Sequence, residues 1–231
     1  MIKITKKDVR VLNLLNDFGY LDEEFFIILF HSRSKKEKSA IAYKVNCYLD
    51  KLVKANLVCI TKSNAGSSYY SLSLGGRTHL MEAGVKTFLN NMVIDNGKFA
   101  HARLCSKVYA KVASLYDVKF RSENNLTRSS ESSIVPDLAI KLGRTTIYFE
   151  IERSLKSEIL IKEKLANYNK KYNDGHLIYL TEHDSIIKKI ESLRLNYTNN
   201  KKIHAYDLSD FMKDPTSYLR DLETESLRGN H

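Results

Sequence analysis

Pro136-Asp137-Leu138-Ala139-Ile140-Lys141-Leu142-Gly143-Arg144-Thr145-Thr146-Ile147-Tyr148-Phe149-Glu150-Ile151-Glu152 is the stretch whose reading decides the fold. It consists of two short apolar segments around a Gly-Arg turn, the pattern of a β-hairpin. Side chains alternate faces along a strand, so Glu150 and Glu152 share one face of the second segment. Paired strands lie about 4.8 Å apart, which lets Asp137 approach Glu150 across the hairpin. Like charges at about 4 Å repel by roughly 1 kcal/mol in water and roughly 4 kcal/mol at an effective dielectric near 20. Three such carboxylates must protonate, pair with Lys or Arg, or hold a cation. A hard divalent ion takes carboxylate oxygens. Asp137, Glu150 and Glu152 are therefore candidate metal ligands on a sheet.

The flanking sequence supplies the rest of an α+β domain. A helix is expected from Phe99 to Tyr116, then a strand over Asp117–Ser122 and a polar, Ser/Asn-rich loop over Ser122–Ser133. After the hairpin come an amphipathic helix (Ser157–Tyr172), an apolar strand (His176–Thr181), a helix (His183–Asn196) and a last strand (Lys201–Leu208). Ile159, Leu160, Leu165 and Tyr168 are read as the apolar side of the first of these helices. The order is helix, three strands, helix, strand, helix, strand.

The N-terminal third reads differently. Thr5 can cap a first helix carrying Val9, Leu12, Leu14, Leu15 and Phe18 at helical spacing, and Gly19 ends it. A second helix spans Leu21–Phe30 and a third Ser39–Ala55, with Ile41, Val45, Tyr48, Leu49 and Leu52 facing inward. Leu57–Lys62 and Ser68–Leu74 form a hairpin around residues 63–67, and a further helix follows from Arg77 to about Asn90. Three helices followed by a strand hairpin is the order of a winged helix-turn-helix, whose third helix enters the major groove. Residues 31–54 carry seven Lys/Arg against two acids. Arg33, Lys35, Lys36, Lys38, Tyr43 and Lys44 are the candidate DNA contacts, with Asn64 and Ser67 on the wing. A solvated basic turn on a protein-binding module is the plainer reading.

Composition agrees with a polyanionic partner. The 231 residues carry a formal net charge of +10 with 43% hydrophobic content, enough for one large domain or two small ones. Residues 1–92 contribute +6 and residues 93–231 contribute +4, so the charge is not one basic tail. Cys47, Cys59 and Cys105 lack metal-ligand spacing and read as reduced thiols in a cytoplasmic protein. The N-terminus lacks the apolar core of a signal peptide, and the longest apolar run, Phe25–Phe30, is far short of the roughly 20 residues that span a membrane. No membrane insertion is expected. The expected division is a winged helix over 1–92, a second, α+β domain over 98–215 and a tail over 216–231.

The strand order, with Pro136-Asp137 on the second core strand and Glu150-Ile151-Glu152 on the third, resembles the PD-(D/E)xK nuclease-like fold. A second resemblance covers nearly the whole chain. The opening Lys6-x-Asp8-x-Arg10-x-Leu12-x-x-Leu15, the helix start His101-x-x-Leu104, Pro136-Asp137, Glu150-Ile151-Glu152-Arg153-Ser154 and Lys164-Leu165-x-x-Tyr168 look like the replication-relaxation family. That family includes the MOBC-type relaxases of mobilisable plasmids. The resemblance implies a winged helix joined to a nuclease-like domain, nicking of plasmid DNA at a transfer origin, single-stranded DNA as a further ligand, and accessory mobilisation or coupling proteins as partners in conjugation.

The chemistry expected is metal-dependent phosphodiester cleavage with Mg²⁺ or Mn²⁺, which lowers the pKa of bound water and stabilises charge on the phosphate. Asp137 and Glu150 suit the ligand role, and Glu152 is either a further ligand or a base. The nuclease pattern ends Glu-x-Lys, whereas Glu152 stands in the Lys position. Arg153 lies on the wrong strand face, so Lys164 of the next helix is the preferred substitute cation. His101 is a candidate contact to the leaving group or phosphate. Tyr168 is the tyrosine nearest a motif for an attack that retains the DNA end covalently. The plainer readings are a turn cap for Asp137, a solvated pair with Arg144 or Lys164 for Glu152, a wet helix face for Lys164, a structural histidine for His101 and core for Tyr168. The first helix of this domain holds no acid from Phe99 to Tyr116, and no His-apolar-His triplet of the competing relaxase chemistry occurs. Two alternatives remain open: a non-catalytic regulator of plasmid replication or transcription with a degenerate, dimerising nuclease-like domain, and an ordinary hydrolytic nuclease.

Overall fold

The computed structural model describes residues 4–31, 37–64, 66–87, 97–122, 135–154, 156–220 and 222. It divides into two compact units, residues 1–110 and 111–231. The division falls inside a helix rather than in the polar stretch after residue 92.

The first unit begins with α1 (Lys6–Phe18), β1 (Leu21–Asp22), α2 (Glu23–His31) and α3 (Lys38–Lys54), followed by β2 (Val58–Lys62), β3 (Ser68–Leu72) and α4 (Leu74–Glu82). Thr5 and Asp8 form a reciprocal capping box at the head of α1. The second helix starts later than the apolar pattern suggests. Leu21 and Asp22 instead pair with Tyr70 and Tyr69, making a three-stranded sheet in the order β1-β3-β2. The Asp22 carboxylate then accepts a hydrogen bond from the Phe25 N–H at 2.8 Å, satisfying an orphan donor of α2. The fourth helix also departs from expectation. It takes Gly75 and Gly76 into its first turn and is finished by Glu82. A Cβ at Gly76 would sit 2.1 Å from the Leu57 carbonyl oxygen, so the backbone there approaches the residue just before β2 closer than any side chain allows.

Helix α5 (Gly97–Leu115) carries the chain into the second unit, where β4 (Val118–Ser122), β5 (Leu138–Leu142), β6 (Thr145–Glu152), α6 (Glu158–Lys171), β7 (His176–Thr181), α7 (Asp184–Arg194), β8 (Ile203–Asp207) and α8 (Leu208–Lys213) follow. This is the element order expected from the sequence. The strands form one mixed sheet in chain order, β4-β5-β6-β7-β8. β4, β5 and β6 run antiparallel, and β6, β7 and β8 parallel. Gly143, with φ 58°, supplies the left-handed residue of the tight β5–β6 turn. Leu104, Val108, Val112 and Leu115 are expected on the inward side of α5, but Leu115 is 45% exposed while Val108 and Val112 are buried. The Ser/Asn-rich segment expected as a loop lies outside the described residues.

Period-2 alternation separates the sheet's two faces. One face presents Ala139, Tyr148, Leu177, Tyr179, Ile203 and Ala205 to Ile161, Leu165 and Tyr168 of α6 and to Ile186, Ile190 and Leu193 of α7. The apolar stripe of α6 thus starts at Ile161. Ile159 and Leu160, expected on it, are 69% and 47% exposed. The other face carries Ile147, Phe149 and Ile178, with Phe149 edge-on to Phe211 of α8 at 5.9 Å.

That second face also carries a histidine pair, His176 buried and His204 half-buried. His176 Nδ1 and His204 Nε2 lie 3.3 Å apart, and His204 stacks on Tyr206. Burial, His176 and then the Arg194 charge push His204 down to about 4. A histidine whose folded pKa is depressed binds its proton more readily when unfolded. Stability is therefore unaffected above about 6.5 and falls as pH drops from there toward 4, by up to about 3 kcal/mol. Thermal unfolding followed across that window should show a steeper acid decline for the wild type than for His204→Gln. Equal slopes would remove His204 as the cause.

Candidate functional site

Strand register sets two of the carboxylates opposite each other within the second unit, while Asp137, Glu150 and Glu152 do not form a set of ligand atoms all within 4.8 Å of one another. Leu138 pairs with Phe149, so position 137 falls opposite Glu150 at the mouth of the hairpin. Asp137 does not extend the ladder; its Oδ2 accepts the Ile151 N–H at 2.7 Å. Glu150 and Glu152 point to the face covered by α6, where both are buried, at 4% and 9% exposure.

Lys164 is the cation that meets them. It lies one turn from Ile161 and from Tyr168, on the edge of the buried stripe, and helix periodicity aims it at the sheet. Its Nζ donates to Glu150 Oε2 in a largely buried ion pair. Burial pushes Glu150 up to about 8, the Asp137 charge adds to this, and Lys164 offsets only part. Burial acts to lower Lys164, but the charges of Glu150 and Asp137 outweigh it and hold the ammonium above its usual range. Burial and the neighbouring acids thus favour a proton on Glu150, and the same acids hold the proton on Lys164.

Glu152 is held differently. Its Oε1 accepts from the N–H and the hydroxyl of Ser154, each at 3.2 Å, and its Oε2 lies 3.8 Å from Lys156 Nζ. Neither Arg144 nor Lys164 is its partner in these pairs. The Glu-x-Glu spacing therefore places Glu150 on Lys164 and Glu152 at the rim beside Lys156. A cavity of about 120 Å³ opens here, lined by Glu152, Lys156, Glu163, Lys164, Tyr179 and the apolar side chains Leu160, Ile161 and Ile186.

Two residues escaped the sequence reading. Lys156 was legible only as part of a polar turn. Tyr179 sits in an apolar strand and reads as core, and its ring is indeed 1% exposed. Parallel pairing of β6 with β7 sets it directly beside Glu150, on the carboxylate face. The signal was present in the alternation of His176–Thr181, but only the pairing register makes it usable.

The other candidates are placed as follows. Tyr168 donates its hydroxyl hydrogen to the Gly175 carbonyl at 2.5 Å and packs its ring in the core, so its oxygen is engaged away from the carboxylates. His101 belongs to the first unit, one turn from Cys105, with Nε2 3.5 Å from the thiol sulfur. Of the candidate DNA contacts, Arg33, Lys35 and Lys36 lie outside the described residues, as does the side chain of Lys38. Tyr43, 72% exposed, and Lys44 stand on the outer face of α3, and Asn64 and Ser67 are exposed at the β2–β3 turn. No helix among the described residues is long and apolar enough to cross a membrane.

The acids on the sheet offer hard oxygens beside two ammonium groups, Lys164 on Glu150 and Lys156 near Glu152, a donor type that would take a hard cation rather than a soft metal. In comparisons with known proteins, no protein-family model and no curated protein matches the chain.

Proposed function

We propose that this chain is a metal-dependent DNA-nicking protein of the plasmid mobilisation type, with a winged helix that locates the site and a PD-(D/E)xK-like domain that cuts one strand. One observation carries the reading. Lys164 reaches Glu150 from α6, where it would take the place of the motif lysine absent after Glu150. A lysine beside two opposed carboxylates suits the support of a metal-held phosphate.

Asp137 and Glu150 would hold Mg²⁺ or Mn²⁺, with Glu152 at the rim. The cation when bound supplies an acidified water and neutralises the phosphate. Lys164, kept protonated by its acidic neighbours, stabilises the charge that develops on phosphate oxygens. Glu152, turned to Ser154 and Lys156, is placed to accept a proton at the cavity rim. Tyr168 is committed to Gly175, which favours water over this tyrosine as nucleophile. In the first unit, the exposed face of α3 and the β2–β3 turn supply polar and basic groups for the DNA backbone.

The test is conversion of supercoiled plasmid carrying a transfer origin to open circles by the full chain, in Mg²⁺ or Mn²⁺ against EDTA. Metal-dependent open circles are expected. Their absence in both metals sinks the enzymatic reading, and product left on the protein after denaturation replaces hydrolysis with covalent strand transfer. Unimpaired DNA binding without nicking would establish the regulator, which the Lys164–Glu150 pair also suits, since an ammonium can neutralise a retired site.

A further inference from the structure

The carboxylate face of the second unit's sheet turns basic toward β4 and β5. Alternation puts Lys119 and Arg121 of β4 and Lys141 of β5 on the face that carries Tyr148, Glu150 and Glu152 of β6. Arg144 follows in the β5–β6 turn, and all four cations are exposed. None of the four enters an ion pair among the described residues. Residues 117–121 and 138–148 hold these four cations against one acid, Asp117. Asp174, which meets Tyr148, is engaged by that hydroxyl at 2.8 Å. Lys119 and Lys141 are direct partners across the ladder. Opposed side chains stand about 5 Å apart, and like charges there destabilise a sheet. Lysine on an edge strand guards it against pairing with another chain, which accounts for Lys119, since β4 is an edge. It does not account for Lys141, which stands on β5 inside the sheet.

We propose that Lys119, Arg121, Lys141 and Arg144 form a docking surface for a DNA backbone, whose phosphates supply the counter-charge that the sheet itself leaves out. The inference rests on the nicking reading for its choice of polyanion and adds where the strand lies in the second unit. The order of the cations carries this. Arg121 stands opposite Ala139, two residues from Asp137. Lys119 and Lys141 come about 7 Å further along the strands, and Arg144 lies beyond them at the turn. The row therefore starts at the end of β5 where position 137 falls opposite Glu150, and it runs away from that end. A DNA strand laid along it brings one of its phosphodiesters to the carboxylates. Lysine and arginine on phosphates fix position without reading bases, so this surface holds DNA of any sequence.

The full chain is titrated against a fluorescent duplex oligonucleotide in EDTA over a salt series, with anisotropy as the readout, and its thermal unfolding is recorded. Lys119→Gln combined with Lys141→Gln should lower the slope of log affinity against log salt by about two, since each lost phosphate contact removes about 0.9. Affinity near about 0.1 M salt should fall roughly ten- to a hundredfold. The midpoint of this variant should equal or exceed that of the wild type, because two opposed like charges leave the sheet. Lys188→Gln combined with Lys201→Gln removes the same charge from exposed positions elsewhere in the unit. It should leave the slope unchanged, because charges more than about 10 Å from the DNA are screened. Equal losses in the two double variants, an unchanged slope in the first, no DNA binding by the wild type, or a midpoint several degrees lower each overturns the proposal. The nicking reading is judged separately. Binding that depends on Lys119 and Lys141 in a wild type that never nicks plasmid sinks that reading alone. Metal-dependent nicking, with binding unchanged in the first double variant, sinks this one alone.

Discussion

Lys164→Met is expected to lower metal-supported nicking by about a hundred- to a thousandfold, the scale seen when one preorganised charge-stabilising donor is removed from a site shielded from water. The same substitution leaves Glu150 buried without its ammonium. Breaking one side of a buried ion pair costs about 3–5 kcal/mol, less whatever the carboxyl recovers by taking up a proton. Activity and stability would fall together, and the single variant alone could not say which loss came first. Glu150→Gln combined with Lys164→Met resolves this, since replacing both partners removes the uncompensated charge. The double variant should recover most of the thermal midpoint and none of the nicking. Nicking by the double variant would remove both Glu150 and Lys164 from the chemistry, whereas nicking by Lys164→Met at the wild-type rate would reduce Lys164 alone to a counter-ion. Lys164→Arg is a further control. It keeps the charge but presents a planar fork where a compact ammonium now sits, so partial activity is expected.

The frame of this site was legible because each of its elements announces itself locally. The 136–152 hairpin is marked by Gly143 and by two apolar runs, and α6 by the Ser157 cap, whose hydroxyl accepts the Leu160 N–H. The convergence of Asp137 and Glu150 follows from hairpin geometry, and Lys164 from helical spacing. What was not legible depends on pairing between segments far apart in sequence. Leu21-Asp22 looks like the start of a helix until Tyr69 and Tyr70 offer it a ladder. The Gly75-Gly76 pair looks like a linker until the Asn56 and Leu57 carbonyls are seen pressed against it. Tyr179 looks like core until β7 is laid parallel to β6 and sets it beside Glu150. Ile159 and Leu160 misled for a related reason: an apolar run at the head of a helix does not say which turn meets the sheet.

The carboxylate opposite Glu150 has the largest expected effect on chemistry. Asp137→Asn keeps a carbonyl oxygen where Asp137 Oδ2 now accepts the Ile151 N–H, so the mouth of the hairpin should hold. The thermal midpoint is expected to move by no more than about 4 °C, the shift of roughly 1 kcal/mol in a domain this size. The charge, however, is gone. Mg²⁺ is commonly held by only one or two carboxylates, so losing one removes about half of the protein's anionic ligands. A cation contributes several kcal/mol to phosphoryl chemistry, and losing about 4 kcal/mol of it lowers the rate by roughly a thousandfold. Nicking by Asp137→Asn should therefore drop by at least about that factor, and calorimetric titration with Mn²⁺ should show weaker binding. The charge removal also relieves Glu150, whose carboxyl is pushed up in part by its acidic neighbour. A variant that nicks at the wild-type rate with an unchanged midpoint would reduce Asp137 to a cap on the Ile151 amide. The carboxylate face would then be a salt-bridged wall of the sheet, with DNA binding left to the first unit.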